Sequence, residues 1–326
     1  MKKYQELNIL KDSKNVCIIG HLNADTDALC SMVCLREFLL SNFENLNIYL
    51  ATDTNVIQNN YLAIIEDITL NDLPKDIDTA ISIDCPNINR LGKYSNVFLE
   101  AKTKIVIDHH LTNTNFGDVN IVEVNSSSCE IVYNIMKEND FQISSQILGK
   151  LYSGVITDTM NFTVGTLTDT TFEIASLASK TIDIQSIYDN FLNHHSLINI
   201  KLLAESIRNL ISYNDGKINI SYIKRRTIKK LKATFDEYTG IINRLASIQN
   251  NLMTCLIQPK GNVYYVSMRG KRGYNVGAIA KKYGGGGHAG AAAFDTTLSL
   301  KKIKKLIKEE FTQLLKTSEK PYKFKF

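Results

Sequence analysis

The sequence predicts an α/β protein with a parallel, doubly wound N-terminal domain and a smaller mixed α/β domain, joined by a helical connector. Three observations predict this architecture. Short apolar runs rich in Val and Ile alternate with helix-period patterns through the first half of the chain, as βαβ units require. The length of 326 residues exceeds what a single hydrophobic core usually serves. Charge divides where the pattern changes: residues 1–190 carry 25 Asp+Glu against 13 Lys+Arg, whereas residues 191–326 carry 8 against 25.

The first expected strand, VCIIG at 16–20, is a run short enough to be buried on both faces. The segment ALCSMVCLREFLL then sets a helix over 27–41. NIYLAT (47–52) and TAISID (79–84) give the next strands, with a helix over 56–66 between them; KIVID (104–108) and NIVEV (120–124) complete the sheet. Helices are expected over 127–139, 145–156 and 170–180, where apolar residues recur at helical spacing. Residues 183–215 read as continuous helix, connecting a first domain at 1–190 to a second at 216–326 through a linker at 191–215. In the second domain a strand starts at 217 (KINISYI), followed by a helix near 239–248, strands at 252–258 and 262–269, and a helix at 275–283. A glycine-rich turn and a basic amphipathic helix at 298–315 end the pattern.

No segment approaches the about 18 apolar residues needed to cross a bilayer, and the N-terminus lacks an apolar stretch of signal-peptide length. The expected location is the cytoplasm, with no membrane partner. Six cysteines, at 17, 30, 34, 85, 129 and 255, include no C-x-x-C pair and read as reduced, buried small hydrophobes. The charge asymmetry reads either as two solvated surfaces or as an acidic metal-binding domain beside a basic one that grips phosphate.

The chemistry sits at the ends of the apolar runs. The first strand runs into HLNADTD, which supplies His21, Asp25 and Asp27; the third ends at Asp84; the fourth ends at Asp108, His109 and His110; and LYSGVITDTMNF supplies Asp158. All are expected at the carboxyl edge of a parallel sheet, where open α/β sheets hold ligands. Any one of them has a structural reading, and Asp27 in particular could cap the helix it precedes. Together, crowded aspartates repel unless cations neutralise them, so the set implies bound metal. Carboxylate oxygens and imidazoles without thiolate suit two Mn²⁺ or Mg²⁺ ions, with Co²⁺ or Zn²⁺ as substitutes.

In the basic half, four glycines (284–287) precede His288 and read either as a flexible turn or as a nest of uncovered N–H groups for an anion. Arg269 ends the apolar run VYYVSM and can clamp a phosphate bidentately. Lys271 and Arg272 read equally as auxiliaries or as solvated charge, as does KRRTIKKLK (224–232). His194 and His195 have no carboxylate at ligand spacing and read as structural or exposed.

HLNADTDA, SID ending at Asp84, DHH at 108–110 and TDTMNF around Asp158 resemble the four motifs of the DHH phosphoesterase superfamily. GGGGHAGAAAF (284–294) is similar to the glycine-rich motif of its DHHA1 C-terminal domain. The resemblance spans almost the whole chain, and extends to the subgroup of NrnA-type oligoribonucleases and pAp phosphatases. It departs at Ala24, where Pro is frequent, and at Ala293, where Gly is usual.

That resemblance implies a DHH catalytic domain and a DHHA1 substrate-binding domain. His21, Asp25 and Asp84 would hold one Mn²⁺, and Asp27, Asp84, His109 and Asp158 the other, with Asp84 bridging. Asp108 would orient a ligand and His110 would reach the scissile phosphate. Arg269 and His288, with Ser267 and the turn Gly285, Gly286 and Gly287, would bind the phosphate end of the substrate. The implied activity is hydrolysis of short oligoribonucleotides (nanoRNA), pAp, or both, with short RNA or a small nucleotide as partner and no stable DNA partner. Alternatives are a cyclic-di-AMP or linear pApA phosphodiesterase, an inorganic pyrophosphatase, and a non-catalytic nucleotide- or RNA-binding module. Oligomeric state is left open, a homodimer included.

Overall fold

The computed structural model describes residues 4–53, 73–193, 195–271 and 273–318. The helix expected over 56–66 and the side chains of His194 and Arg272 lie outside them. The chain forms two compact units, divided between residues 194 and 195.

In the first unit five parallel strands, β1 (Asn15–Ile19), β2 (Asn47–Ala51), β3 (Thr79–Ile83), β4 (Thr103–Asp108) and β5 (Val119–Val122), pair in the order β2-β1-β3-β4-β5. Ile18 is in register with Ile81, and Ile81 with Ile105, so adjacent strands stack β-branched side chains on one face. Every residue of β3 is buried, which is why its pattern is continuous rather than alternating. One face packs against α1 (Thr26–Asn42), α3 (Ser128–Glu138) and α4 (Ser145–Asp158) through Leu29, Met32, Ile131 and Leu151. The other packs against Leu91 and Phe98, the latter on α2 (Ser95–Glu100). The chain leaves β1 for β2 on one side and reaches β3 on the other, so the switch point of the sheet lies beside the carboxyl ends of β1 and β3.

The expected continuous helix over 183–215 is not formed. Instead α6 (Ile184–Phe191), which follows α5 (Asp169–Thr181), ends with the Leu192 and Asn193 amides both on the Tyr188 carbonyl. A new helix, α7 (Leu197–Arg208), starts where the Ser196 hydroxyl accepts from the Asn199 amide. A serine cap within an otherwise periodic run separates two helices. Residues after α7 form strand β6 (Ile211–Tyr213), which pairs antiparallel with β7 (Ile218–Tyr222). Asn214 and Asp215, both with positive φ, close that hairpin as an Asn-Asp-Gly turn does.

The second unit is a six-stranded mixed sheet in the order β10-β11-β9-β8-β7-β6, with β8 (Met253–Lys260), β9 (Val263–Gly270), β10 (Gly286–Gly287) and β11 (Ala291–Thr296). After α8 (Arg225–Leu231), helix α9 (Ile241–Ala246) and α7 cover the β7–β8 end of one face through Leu202, Ile241, Leu245 and Leu256. The other face is covered by α10 (Val276–Lys282) and α11 (Leu300–Thr317), whose Ile303, Ile307 and Phe311 are buried at helical spacing. Strand alternation sends Val266 and Met268 into that core and turns Tyr265, Ser267 and Arg269 to the opposite face.

Candidate metal centre and its relatives

Loops after β1, β3 and β4 and the end of α4 bring the expected ligands together. Three sets of donor atoms each lie within 4.8 Å: His21, Asp25 and Asp84; Asp27, His109 and Asp158; and Asp84, His109 and His110. Asp84 belongs to two of them through different oxygens. Its Oδ2 stands 3.6 Å from His21 Nε2, and its Oδ1 stands 3.4 Å from His109 Nε2. Asp84 directly follows β3 with φ 55, a left-handed conformation that Asp tolerates better than most residues. One carboxylate facing two clusters is the arrangement of a bridging ligand.

The imidazoles are fixed from behind. His21 Nδ1 is 2.9 Å from the Leu22 carbonyl, and His109 Nδ1 is 3.3 Å from the Asn125 carbonyl. At His109, donation from Nδ1 to that carbonyl leaves Nε2 as the open lone pair. His21 Nε2 faces Asp25 at 3.7 Å and His109 Nε2 faces Asp158 at 3.5 Å. Such separations are too long for good hydrogen bonds. They match donors sharing one ion, since ligand atoms about 2.1 Å from an ion stand about 3 Å or slightly more from each other.

The carboxylates are held with equal care. Asp27 is buried, and its two oxygens accept from the Ser128 and Cys129 amides at 2.7 and 2.9 Å, the first turn of α3. An acid at a helix N-terminus is stabilised there. Asp25, not Asp27, caps α1, accepting from the Ala28 amide. The Ser128 hydroxyl donates to Asp84 Oδ1 at 3.0 Å. Gly154 on α4 makes room behind Asp27: a Cβ at that position would sit 2.7 Å from Asp27 Oδ1.

Charge in the centre is unbalanced without cations. Burial, then Asp84 and Asp158, push Asp27 well above the usual carboxylate range. Burial also raises Asp158 to about 6, with Asp84 and Asp25 adding to it. His109 is raised to about 10: its burial opposes the proton, but Asp84, Asp27 and Asp158 outweigh it. Crowded carboxylates with imidazoles are a donor set that fits divalent ions.

Two expectations need correction. Asp158 is not delivered by a strand: it is the last residue of α4, and Met160, Asn161 and Phe162 then turn the chain with positive φ. Asp108 is fully buried, and the group it holds is His110, itself a member of one Asp84 donor set: His110 Nδ1 donates to its Oδ1 at 2.8 Å, and Asn113 donates to its Oδ2 at 2.6 Å. Donation from Nδ1 leaves Nε2 of His110 as its acceptor nitrogen.

In the second unit Arg269 donates Nε to Asn243 Oδ1 at 2.9 Å and Nη1 to its neighbour's carbonyl, Met268, at 3.1 Å. Burial lowers its pKa from the guanidinium norm. His288 is exposed at the tip of the β10–β11 hairpin. Ser267 is buried, its hydroxyl directed at Leu256 O and Gln258 Oε1. Part of the glycine run is already bonded: the Gly284 and Gly285 amides donate to the Lys281 and Ala280 carbonyls, and the His288 amide donates to Ala291. Gly285 and Gly287 serve close packing, since a Cβ on Gly285 would meet the Ala293 carbonyl and Phe294 and one on Gly287 would meet the backbone of Ala291 and Ala292. Ala293 lies in regular strand backbone opposite Gly286, so its methyl is accommodated.

Sequence reasoning missed Ser128, Asn113, Asn243 and Arg90, whose guanidinium stands 3.2 Å from His21 Nδ1. Their signals were weak, because a lone hydroxyl, amide or guanidinium names no partner. His195 joins no donor set among the described residues.

The chain matches the model of the DHH family N-terminal domain over residues 15–155 and that of the DHHA1 domain over residues 215–317. It is 28% identical over 282 residues to the probable bifunctional oligoribonuclease and PAP phosphatase NrnA of Streptococcus mutans, covering 86% of this chain and 88% of that one. It is 24% identical to the bifunctional oligoribonuclease and PAP phosphatase NrnA of Bacillus subtilis, over 82% of this chain and 85% of its relative. The fold superposes on an exopolyphosphatase-related protein from Bacteroides fragilis with a TM-score of 0.85 at 22% identity, covering 94% of each chain. RecJ of Thermus thermophilus, solved in complex with Mn²⁺, gives a TM-score of 0.51 at 10% identity, covering 95% of this chain and 53% of that one. With both domain models matched in order, the one over every expected metal ligand but Asp158 and the other over the basic sheet, the chain belongs to the DHH family and carries a DHHA1 domain.

Proposed function

We propose that this chain is a Mn²⁺-dependent phosphoesterase that hydrolyses short oligoribonucleotides and pAp, with Mg²⁺ or Co²⁺ able to substitute. The observation that carries the reading is Asp84, one buried carboxylate whose two oxygens face His21 and His109 in separate donor groups. His21, Asp25 and Asp84 would hold one ion; Asp27, Asp84, His109 and Asp158 would hold the other. Bound there, divalent ions supply Lewis-acid activation of water and of a phosphoryl oxygen.

The chain's own groups do the rest. His110, kept in one tautomer by Asp108, offers Nε2 to the phosphate and stabilises charge developing on it. Asp27 and Asp84 are kept in place by the start of α3 and the Ser128 hydroxyl, so the site is organised before substrate arrives. Arg269 and His288 take the terminal phosphate, with the Gly285–Gly287 turn shaping the approach. A cytoplasmic location agrees with six buried, unpaired thiols, and among the described residues no helix is long and apolar enough to cross a membrane. The relatives named as oligoribonuclease and PAP phosphatase support the substrate class.

The test is purified protein with Mn²⁺ against pAp, pApA, cyclic-di-AMP, a labelled pentanucleotide, a long RNA and pyrophosphate, comparing kcat/KM. The highest values are expected for pAp and the pentanucleotide. Pyrophosphate turning over fastest, or long RNA matching the short substrates, would overturn the assignment.

A further inference from the structure

The uncovered part of the second unit's sheet carries an aromatic cluster that the phosphate-binding reading does not use. Tyr265 and Arg269 lie on the same face of β9, four residues apart, a Cα separation of about 13 Å by strand rise. The loop after α8 places Phe235 against Tyr265, ring centroids 5.3 Å apart and nearly perpendicular. Phe235 is also edge-on to Tyr238 at 5.6 Å, and Tyr238 is buried with its hydroxyl on the Pro259 carbonyl. One buried tyrosine therefore anchors a phenylalanine that remains 42% exposed.

A cation completes the cluster. Lys260 Nζ stands 5.4 Å from the centroids of both Phe235 and Tyr265. Asp295, paired with Tyr265 in the β9–β11 register, holds that lysine at 2.9 Å. Exposed aromatic rings beside fixed cations suit a planar, electron-rich group attached to an anion. A peptide partner is disfavoured, because the rings sit on a face whose next side chains are an arginine and a lysine rather than a continuous apolar groove.

We propose that Phe235 and Tyr265 form a stacking platform for the nucleobase of the nucleotide whose phosphate Arg269 holds. The choice of ligand rests on the phosphoesterase reading, but the platform itself is tested by binding alone. AMP shares its sugar phosphate with ribose 5-phosphate and adds a base, so calorimetry of the full chain with each isolates the base. AMP is expected to bind about tenfold more tightly, and Phe235→Leu or Tyr265→Leu, which keep apolar volume without a π face, should each erase most of that difference. Phe235→Trp should keep or widen it, which a merely structural role would not do. Equal affinity of the two ligands for the unaltered chain, or an AMP preference unchanged in Phe235→Leu, would overturn the proposal. Failure of hydrolysis with the AMP preference intact would sink the enzymatic reading and spare the platform.

Discussion

The metal-ligand cluster and the basic sheet face solve different problems with different materials. In the first unit the working side chains are short, and several are held from behind: buried Asp27 by two amides, buried Asp84 by Ser128, His110 by Asp108. In the second they are long and half exposed, with Arg269 tethered by one amide side chain and Lys260 by one carboxylate. Short ligands on rigid elements keep donors within tenths of an ångström, as ion binding requires. Long cations and rings keep reach, which suits substrates of varying length.

The contrast can be broken most severely at Asp84. Asp84→Ala should reduce turnover by about a thousandfold or more and abolish the rise in melting temperature produced by Mn²⁺, while AMP binding by the second unit survives. A thermal-shift titration read beside the activity assay checks both halves; a normal Mn²⁺ response in that variant would refute the bridging role. Next comes the division between neighbouring histidines. His110→Ala should lower kcat by about a hundredfold with the Mn²⁺ response intact, whereas His109→Ala should lose an ion by metal analysis of the purified protein.

Ser128→Ala tests whether support from behind matters in the first unit. Removing a hydroxyl that orients a ligand should lower Mn²⁺ affinity or rate by about 10- to 100-fold, measured as the Mn²⁺ concentration giving half-maximal rate. The smallest effects belong to the second unit. Arg269→Lys should raise KM for pAp by about tenfold with kcat within about twofold, because a point charge replaces a fork. Asn243→Ala, which frees the guanidinium without removing it, should raise KM by about threefold. A fall in kcat equal to the rise in KM would mean that the tether acts on chemistry as well as on binding.

Much of this was legible in the sequence, for a physical reason. Buried parallel strands must be apolar on both faces, so TAISID and KIVID announced themselves, and a polar residue directly after such a run has few places to go but the carboxyl edge. The ligand set could thus be read as a list. Less legible was whatever depends on a partner far along the chain: Ser128 is bonded to carboxylates 101 and 44 residues away, and nothing in an SSSC run names them. Helix periodicity through 183–215 hid a serine cap and an Asn-Asp-Gly turn, because apolar spacing continued across both. The glycines before His288 suggested open amides, yet the end of α10 takes those of Gly284 and Gly285.

Gly154 carries a consequence for how this protein can change. The basic face can be altered one residue at a time, since Phe235, Lys260 and Asp295 border solvent. Position 154 offers no such gradient, because even the smallest side chain there presses on Asp27 and on Cys129. A library randomised at that codon should return a single permitted residue among active clones, and new metal specificities would have to be reached from the loops rather than from the helix behind them.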